Sequence, residues 1–431
     1  MALWRSRVRS PSAPLLDRLR AGPLGESAFR FLFLGRTTSF IGNAFANVAL
    51  AFAVLDLTGS KADLGYVLAA RSVPQVIFLL VGGIWADRLP RHLVMVTSNV
   101  ASGVSQGAIA VLLLTGHAQV WHLMALGAVN GLSSAFFFPA AVGIVPQTVP
   151  QRMLQSANAI LRLGTNASWI GGAALGGLVV AACSPGTGIA VDAASFFLAA
   201  AFLALVRIPK TLRMESSNFL AELSDGWREF ISRAWLWSIV LQFGFVNGIQ
   251  LGTEGVLGPA IAKDHLGGAA AWGLILTAQS LGLVAGGLIL LRLRPRRILL
   301  AATLGYMLTI PFLLGLSGPV SVVALIGLAA LAGIGSETFG VLWDTAIQQE
   351  IPQEKLSRVS SYDALGSFVL IPFGLAVAGP VSELIGTRET ILSAAAISLT
   401  ATLAVLLVRD VRTIERRDSE PLVEGVDVAG A

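Results

Sequence analysis

Apolar residues run through this chain in long blocks separated by short polar breaks. Twelve blocks come close to the ~20 apolar residues a helix needs to cross a hydrocarbon layer. They cover 29–55, 64–86, 93–115, 119–145, 156–181, 188–206, 234–262, 269–291, 297–317, 320–346, 360–381 and 389–408. The pattern predicts an all-α membrane protein with twelve spans. The longest interior break divides the spans six and six. The predicted units are an N-terminal tail (1–28), a six-helix bundle (29–206), a linker (207–233), a second bundle (234–408) and a C-terminal tail (409–431). In the linker, Phe219, Leu223, Trp227, Phe230 and Ile231 recur at helical spacing with Glu222, Asp225 and Arg228 between them. That is the pattern of an amphipathic helix lying on a membrane surface.

Composition agrees. The 431 residues are 55% hydrophobic and 13% charged, with a mean hydropathy of +0.74, against about 25% charged in ordinary soluble proteins. The lone Cys183 excludes a disulfide framework within the chain, and its expected role is that of a small apolar residue in a helix. The four His, at 92, 117, 122 and 265, form no i,i+4 ligand pair, so no metal is expected. No phosphate-binding G-x-x-x-x-G-K-[ST] segment occurs, so neither nucleotide nor other cofactor is expected. The net charge of +5 sits in short loops, which fits a lipid bilayer rather than nucleic acid as partner. Met1 to Arg30 lacks the apolar core of a cleavable signal peptide.

Lys and Arg set the orientation. Of the 30, 24 fall in the tails and in the loops on the same side as them. Three (Lys61, Lys263, Arg388) fall on the other side, and three (Arg36, Arg71, Arg162) inside spans. Both termini are expected in the cytoplasm. An Arg to Lys ratio of 26 to 4 points to a GC-rich bacterial genome, hence to a bacterial cell membrane.

The two halves also match each other. A shift of 202 pairs Gly131, Ser134, Phe137, Gln147, Pro150 and Gly164 with Gly333, Ser336, Phe339, Gln349, Pro352 and Gly366. A shift of 204 pairs Gly82, Gly83, Arg88 and Leu89 with Gly286, Gly287, Arg292 and Leu293. Repeated halves point to a transporter with its site at the repeat interface.

The stretch Gly83-Ile-Trp-Ala-Asp87-Arg88-Leu-Pro-Arg91-His92 resembles the G-x-x-x-D-R-x-G-R-R signature of the major facilitator superfamily, with Pro90 for its second Gly and His92 for its last basic residue. LGRTTSFIGNAF, AARSVPQ and AFFFPAAVGIVPQTVP resemble the macrolide-efflux and enterobactin-exporter-like branch of that superfamily. The resemblance implies two six-helix bundles with a cavity lined by spans one, four, seven and ten. It also implies that the loop bearing Gly83, Asp87, Arg88 and Arg91 gates the cytoplasmic side. Gly172, Ala173, Gly176 and Gly177 resemble the antiporter motif of span five, with Ala173 where Pro is usual; packing alone explains the glycines equally well.

Polar residues inside spans are expensive and so mark candidate sites. Arg36, Asn43 and Asn47 share a face of span one, and Asn247, Gln250 and Glu254 share one of span seven. Span ten carries Glu337, Asp344 and Gln348; span four carries Ser134 and Phe137. The expected cavity residues are Arg36, Asn43, Asn47, Ser134, Phe137, Asn247 and Gln250. Glu254, Glu337 and Asp344 are the expected proton carriers, and the resemblance, by placing Arg36 in the same cavity, implies it as the cation facing the glutamates. Asp344 has a second reading, that it simply reaches cytoplasmic water. Asp192 is expected at the membrane interface, and Arg162 and Asp363 as gate or cap residues. The expected function is proton-coupled efflux of amphipathic small molecules by a monomer. A siderophore or other metabolite exporter, an importer or uniporter, and a transport-dead sensor are open alternatives. No clustered nucleophile and base stands at membrane depth, so an enzyme is not expected.

Overall fold

In the computed structural model residues 22–208, 226–318 and 320–416 are described, apart from the side chains of 79–88, 353, 354 and 357. The first half contains α1 (Ser27–Thr58), α2 (Lys61–Arg88), α3 (Arg91–Leu114), α4 (Val120–Gly143), α5 (Leu154–Ala182) and α6 (Pro185–Ala204). In the second half α7 is Ala234–Gly252, extended by π-helical turns at Thr253–Leu257 and Ala262–Leu266. It is followed by α8 (Ala269–Arg292), α9 (Ile298–Tyr306 and Ile310–Leu316) and α10 (Val322–Glu350). The half closes with α11 (Gln353–Phe368 and Ile371–Ile385) and α12 (Thr387–Val405). Eleven of these are long and apolar enough to cross a membrane; α2, the twelfth, has 28 residues. Each expected span falls on one helix. The largest offset is at α11, whose polar first turns precede the apolar block that marks it in the sequence.

An even number of crossings returns the chain to the end where it began; the opposite end is called distal here. Distal turns are tight and several use glycine. Gly59 closes α1 at φ 68°, its N–H donating to Leu55 O, and Gly386 joins α11 to α12 at φ 99°. A side chain is strained at such angles. At the other end Pro90 and Pro352 precede α3 and α11, where a fixed φ suits helix entry.

Within each half the helices form a bundle, and the bundles meet along α2 on α11 and α5 on α8. Both seams are built from glycine, and the repeat relates them. A Cβ on Gly65 or Gly273 would fall 2.4 Å from Leu375 O or 2.6 Å from Ala173 O. A Cβ on Gly379 or Gly177 would fall 2.3 Å from Lys61 O or 2.6 Å from Ala269 O. Small residues here let the backbones of opposite halves touch.

The apolar core shows where the halves part. At the distal end one cluster spans both, joining Phe52, Leu55 and Leu64 to Leu257, Trp272, Phe312 and Leu375. Toward the other end the core splits in two. One cluster holds Phe29, Leu32, Met95, Ile144 and Leu203, and the other Leu236, Ile239, Leu299, Phe339 and Trp343. The molecule is joined distally and divided at the end bearing the termini.

Candidate functional site

A cavity of about 130 Å³ lies inside the first half. Asn43 and Asn47 of α1, Arg71 and Gln75 of α2, Ser102 of α3, and Ser134, Phe137 and Phe138 of α4 line it, with Trp169 of α5 and Phe196 of α6 beyond. Four of the expected cavity residues are therefore brought together: Asn43, Asn47, Ser134 and Phe137. Arg71 is the charged member of the lining, its Nη2 donating to Asn43 Oδ1 at 3.2 Å. The crossing of α4 on α2 holds it there, since a Cβ on Gly131 would fall 1.8 Å from Arg71 O.

Behind that wall lies Asp192. It is 0% exposed, not interfacial as its position near the start of span six suggests. Its Oδ2 accepts from Gln106 Nε2 at 2.7 Å, its Oδ1 has no hydrogen-bond partner, and Arg71 stands within electrostatic reach. The α6 helix rolls this residue inward against α1, where Gly42 leaves room for it: a Cβ there would fall 2.6 Å from Asp192 Oδ1.

The second half builds its own polar chain around Glu254, which sits in the first π-helical turn of α7. Such turns re-aim side chains and often mark functional positions. Gln250 Nε2 donates to Glu254 Oε1 at 2.7 Å, and Gln279 Nε2 to Oε2 at 3.3 Å. Tyr306 O–H donates to Gln250 Oε1. Gln279 is the counterpart of Arg71, for a Cβ on Gly333 would fall 2.0 Å from Gln279 O. Each half thus sends one side chain from its second helix across to its first. The pair is Arg71 and Asn43 in one half, Gln279 and Glu254 in the other. Asn247 donates instead to Ser367 O at 3.0 Å, tying α7 to α11.

Arg36 does not face the glutamates. Its Nη1 donates to Ala141 O at 3.3 Å and its guanidinium lies over the Phe40 ring at 5.9 Å. The cation within electrostatic reach of Glu337 is Arg162 of α5. Arg162 also meets Asp344 across the halves at 4.0 Å, with side chains 69% and 57% exposed. Asp363 caps no helix: it lies inside α11, where Trp343 Nε1 and Ser367 Oγ donate to it at 3.1 and 3.3 Å.

In the signature loop, Gly83, Asp87 and Arg88 lie outside the described side chains. Arg91 donates to Gly143 O at the end of α4, a cation on a helix C-terminus. In α5, Gly172 and Gly176 pack on α1, at 2.5 Å from Ala44 Cβ and 3.0 Å from Phe45 Cα for an added Cβ, while Gly177 packs on α8. Cys183 lies exposed just beyond α5.

Sequence reasoning passed over Arg71, Gln106, Gln279 and Tyr306. Arg71 carried a usable signal, a charge inside a span. The others are polar residues whose importance comes only from a partner on another helix.

Comparison with known proteins fits this architecture. The family profile described as "Transmembrane secretion effector" matches residues 20–304, and that described as "Major Facilitator Superfamily" matches residues 244–426. The chain is 22% identical over 398 residues to macrolide efflux protein A of Streptococcus pyogenes, covering 90% of this chain and 97% of that protein. It is 25% identical over 394 residues to the multidrug efflux pump Tap of Mycolicibacterium fortuitum, covering 88% and 93%. It is 27% identical over 369 residues to the enterobactin exporter EntS of Salmonella typhimurium, covering 83% and 87%. Among solved structures, the nucleoside transporter NupG superposes with a TM-score of 0.69 at 13% identity, covering 88% of this chain and 98% of that one. A bacterial homologue of the lysosomal transporter Spinster gives 0.67 at 16% identity, covering 91% and 98%. Two pseudo-symmetric six-helix bundles and profile matches that together run from residue 20 to 426 lead to one assignment: the chain belongs to the transmembrane secretion effectors of the major facilitator superfamily, integral membrane transporters with efflux pumps among their relatives.

Proposed function

We propose that this protein exports amphipathic organic molecules from a bacterial cell in exchange for protons, by alternating access. The observation that carries the coupling is Glu254. It is a carboxylate in a membrane-spanning helix, held by two carboxamides, and no ion pair to it occurs among the described residues. Such a group is costly when ionised and natural as a proton carrier. Glu337 and Asp344, near Arg162, are the further candidates. The cavity beside Arg71, amide-lined with aromatic rings, suits a molecule with both apolar and hydrogen-bonding parts. The efflux proteins to which the chain is similar support the outward direction, and the charge bias supports cytoplasmic termini. The distal end then faces outward and the divided end faces the cytoplasm. Asp87, in the signature loop, is assigned to the gate.

Inverted membrane vesicles test this reading. A pH gradient, acid inside, should drive ethidium uptake, and Glu254→Gln should abolish that uptake while retaining ethidium binding. Uptake that ignores the pH gradient in the unmodified protein would defeat the coupling. For orientation, cysteines replacing Lys61 and Lys263 in a Cys183→Ala background should react with an impermeant thiol reagent applied to whole cells. A cysteine replacing Lys355 should not; the reverse pattern would invert the topology.

A further inference from the structure

Asp192 and Gln106 lie behind the cavity wall that Arg71 lines, and the export mechanism above leaves them unused. Asp192 is 0% exposed in α6, a helix of the spanning bundle. One oxygen is satisfied by Gln106 of α3 at 2.7 Å; the other has no partner. The nearby cation, Arg71 of α2, makes no ion pair with it and donates instead to Asn43 Oδ1 of α1 at 3.2 Å. Asn43 lines the cavity; Asp192 does not. Gly42, the residue before Asn43, packs on Asp192 Oδ1. Arg71 therefore has two acceptors on either side of one turn of α1: a buried carboxylate behind the cavity wall and a carboxamide on it.

We propose that Asp192 is a proton-binding site, and that its protonation moves the Arg71 guanidinium from Asp192 to Asn43 on the cavity wall, where it competes with the substrate. The inference rests on the proton coupling proposed above and places a second proton site in the other half from Glu254. An ionised carboxylate with no exposure needs its cation close by. Once protonated, it no longer holds that cation, and the guanidinium takes the best remaining acceptor. The arrangement seen, with Oδ1 unpartnered and Arg71 on Asn43, is that of the protonated state. The groups that reach Asp192 are Gln106 of α3, which donates to its Oδ2, Ser195 of its own helix, which donates to its backbone oxygen, and Arg71 of α2, which acts on it electrostatically. Arg71 is the charged one among them.

The sign of the coupling follows. With the proton on Asp192, a full positive charge stands on the cavity wall and disfavours a cationic amphipathic ligand such as ethidium. With the proton gone, Arg71 withdraws, the wall becomes neutral, and such a ligand enters. Proton and substrate then exclude each other, as exchange requires.

Purified protein reports on this without transport. The infrared carbonyl band of protonated carboxyl groups should contain a component that titrates with pH, is lost in Asp192→Asn and survives in Glu254→Gln. Saturating ethidium should shift its midpoint to lower pH. In proteoliposomes Asp192→Asn, which fixes Arg71 on the cavity wall, should slow ethidium exchange at equal pH and lose accumulation driven by a pH gradient. Should Asp192→Asn fail to give a monodisperse protein, Arg71→Gln carries the test: the same component should remain protonated across the range. A component unchanged in Asp192→Asn, or titrating normally in Arg71→Gln, overturns the assignment. If the band behaves as expected but the unmodified protein accumulates nothing under a pH gradient, the proton site stands and the coupled-export reading falls.

Discussion

Gly131 and Gly333 stand where α4 crosses α2 and α10 crosses α8, and a Cβ on either would fall within 2.0 Å of a backbone oxygen. Backbone cannot swing aside as a flexible side chain does, so added volume forces the helices apart. Gly131→Val should cost about 1–3 kcal/mol or more, read as a lower midpoint of thermal unfolding in detergent. Gly327→Ala, where nothing lies within 4 Å of the added carbon, should hold or raise the midpoint, since Ala favours a helix over Gly; an equal loss in both variants would remove the crossing argument. The repeat made both glycines legible, because a close approach admits only one residue type and the two halves keep it at the same spacing. Charge was legible differently. Arg71 and Asp192 are visible as ionisable residues in apolar blocks, but no spacing on one helix reveals that α2 and α6 bring them together behind α1. The face-by-face reading of span one joined Asn43 to Asn47, and both line one cavity; the family resemblance aimed Arg36 at the glutamates, whereas it donates to Ala141 O. A helical face fixes which side chains point the same way, not what stands opposite.

Between the halves, the described end of the linker forms a short helix at 226–231 that docks on α11. Trp227 and Phe230 pack against the Tyr362 ring at centroid distances of 5.3 and 5.9 Å, and Gly226 fits against Arg358. Glu229 clamps the dock, accepting from Lys355 Nζ at 2.7 Å and from Arg233. The hydrogen bond from Lys355, helped by Arg233, holds the Glu229 carboxyl below its ordinary range. A depressed carboxyl pKa stabilises the docked form above the free glutamate value of about 4.3 and withdraws that support as pH falls through the lowered value. Docking should therefore be constant from neutral pH down to about 5 and weaken only in stronger acid. Glu229→Gln should loosen it already at neutral pH, by on the order of 1 kcal/mol. Faster amide hydrogen exchange across 226–231 would register the change, and unaltered exchange would mean that the aromatic rings suffice. The helical spacing of Trp227, Phe230 and Ile231 announced a surface helix. It could not announce Lys355 as partner, 126 residues from Glu229. Phe219 and Leu223 of the same expected helix lie outside the described residues.

For the molecule as a whole, the question is what holds the distal end shut while the other end stands divided. Among the described residues, three polar ties cross the halves there. Lys263 Nζ meets Asp56 at 2.6 Å and Leu55 O at 2.8 Å, and Lys61 Nζ donates to Thr387 Oγ1 at 2.7 Å. Glu383 Oε1 accepts from Ser60 Oγ and from Ala62 N, each at 3.3 Å. The glycine seams and the shared apolar cluster lie just below. In alternating access this end must open, so all three ties must break while the seams pivot. The Lys263–Asp56 pair has side chains 35% and 51% exposed, and exposed pairs contribute about 0–1 kcal/mol each. Three together bias the equilibrium by roughly 2 kcal/mol, and every 1.4 kcal/mol is about tenfold. Lys61→Met, Lys263→Met and Glu383→Met combined should therefore raise the distally open population by one to two orders of magnitude relative to the closed one. Spin labels at Leu57 and Leu384, 41% and 83% exposed on opposite halves, would report it in a Cys183→Ala background. The triple variant should gain a long-distance component that the parent shows weakly. Single changes should each move the population only severalfold, because the remaining ties and the seams still hold. If the distance distribution of the triple variant matched the parent, the polar ties would be ornament, and the closed state would rest on the glycine seams and the apolar cluster alone. Gly65→Ala, which sets a methyl against Leu375 O on the α2–α11 seam, would then be the change that opens the distal end.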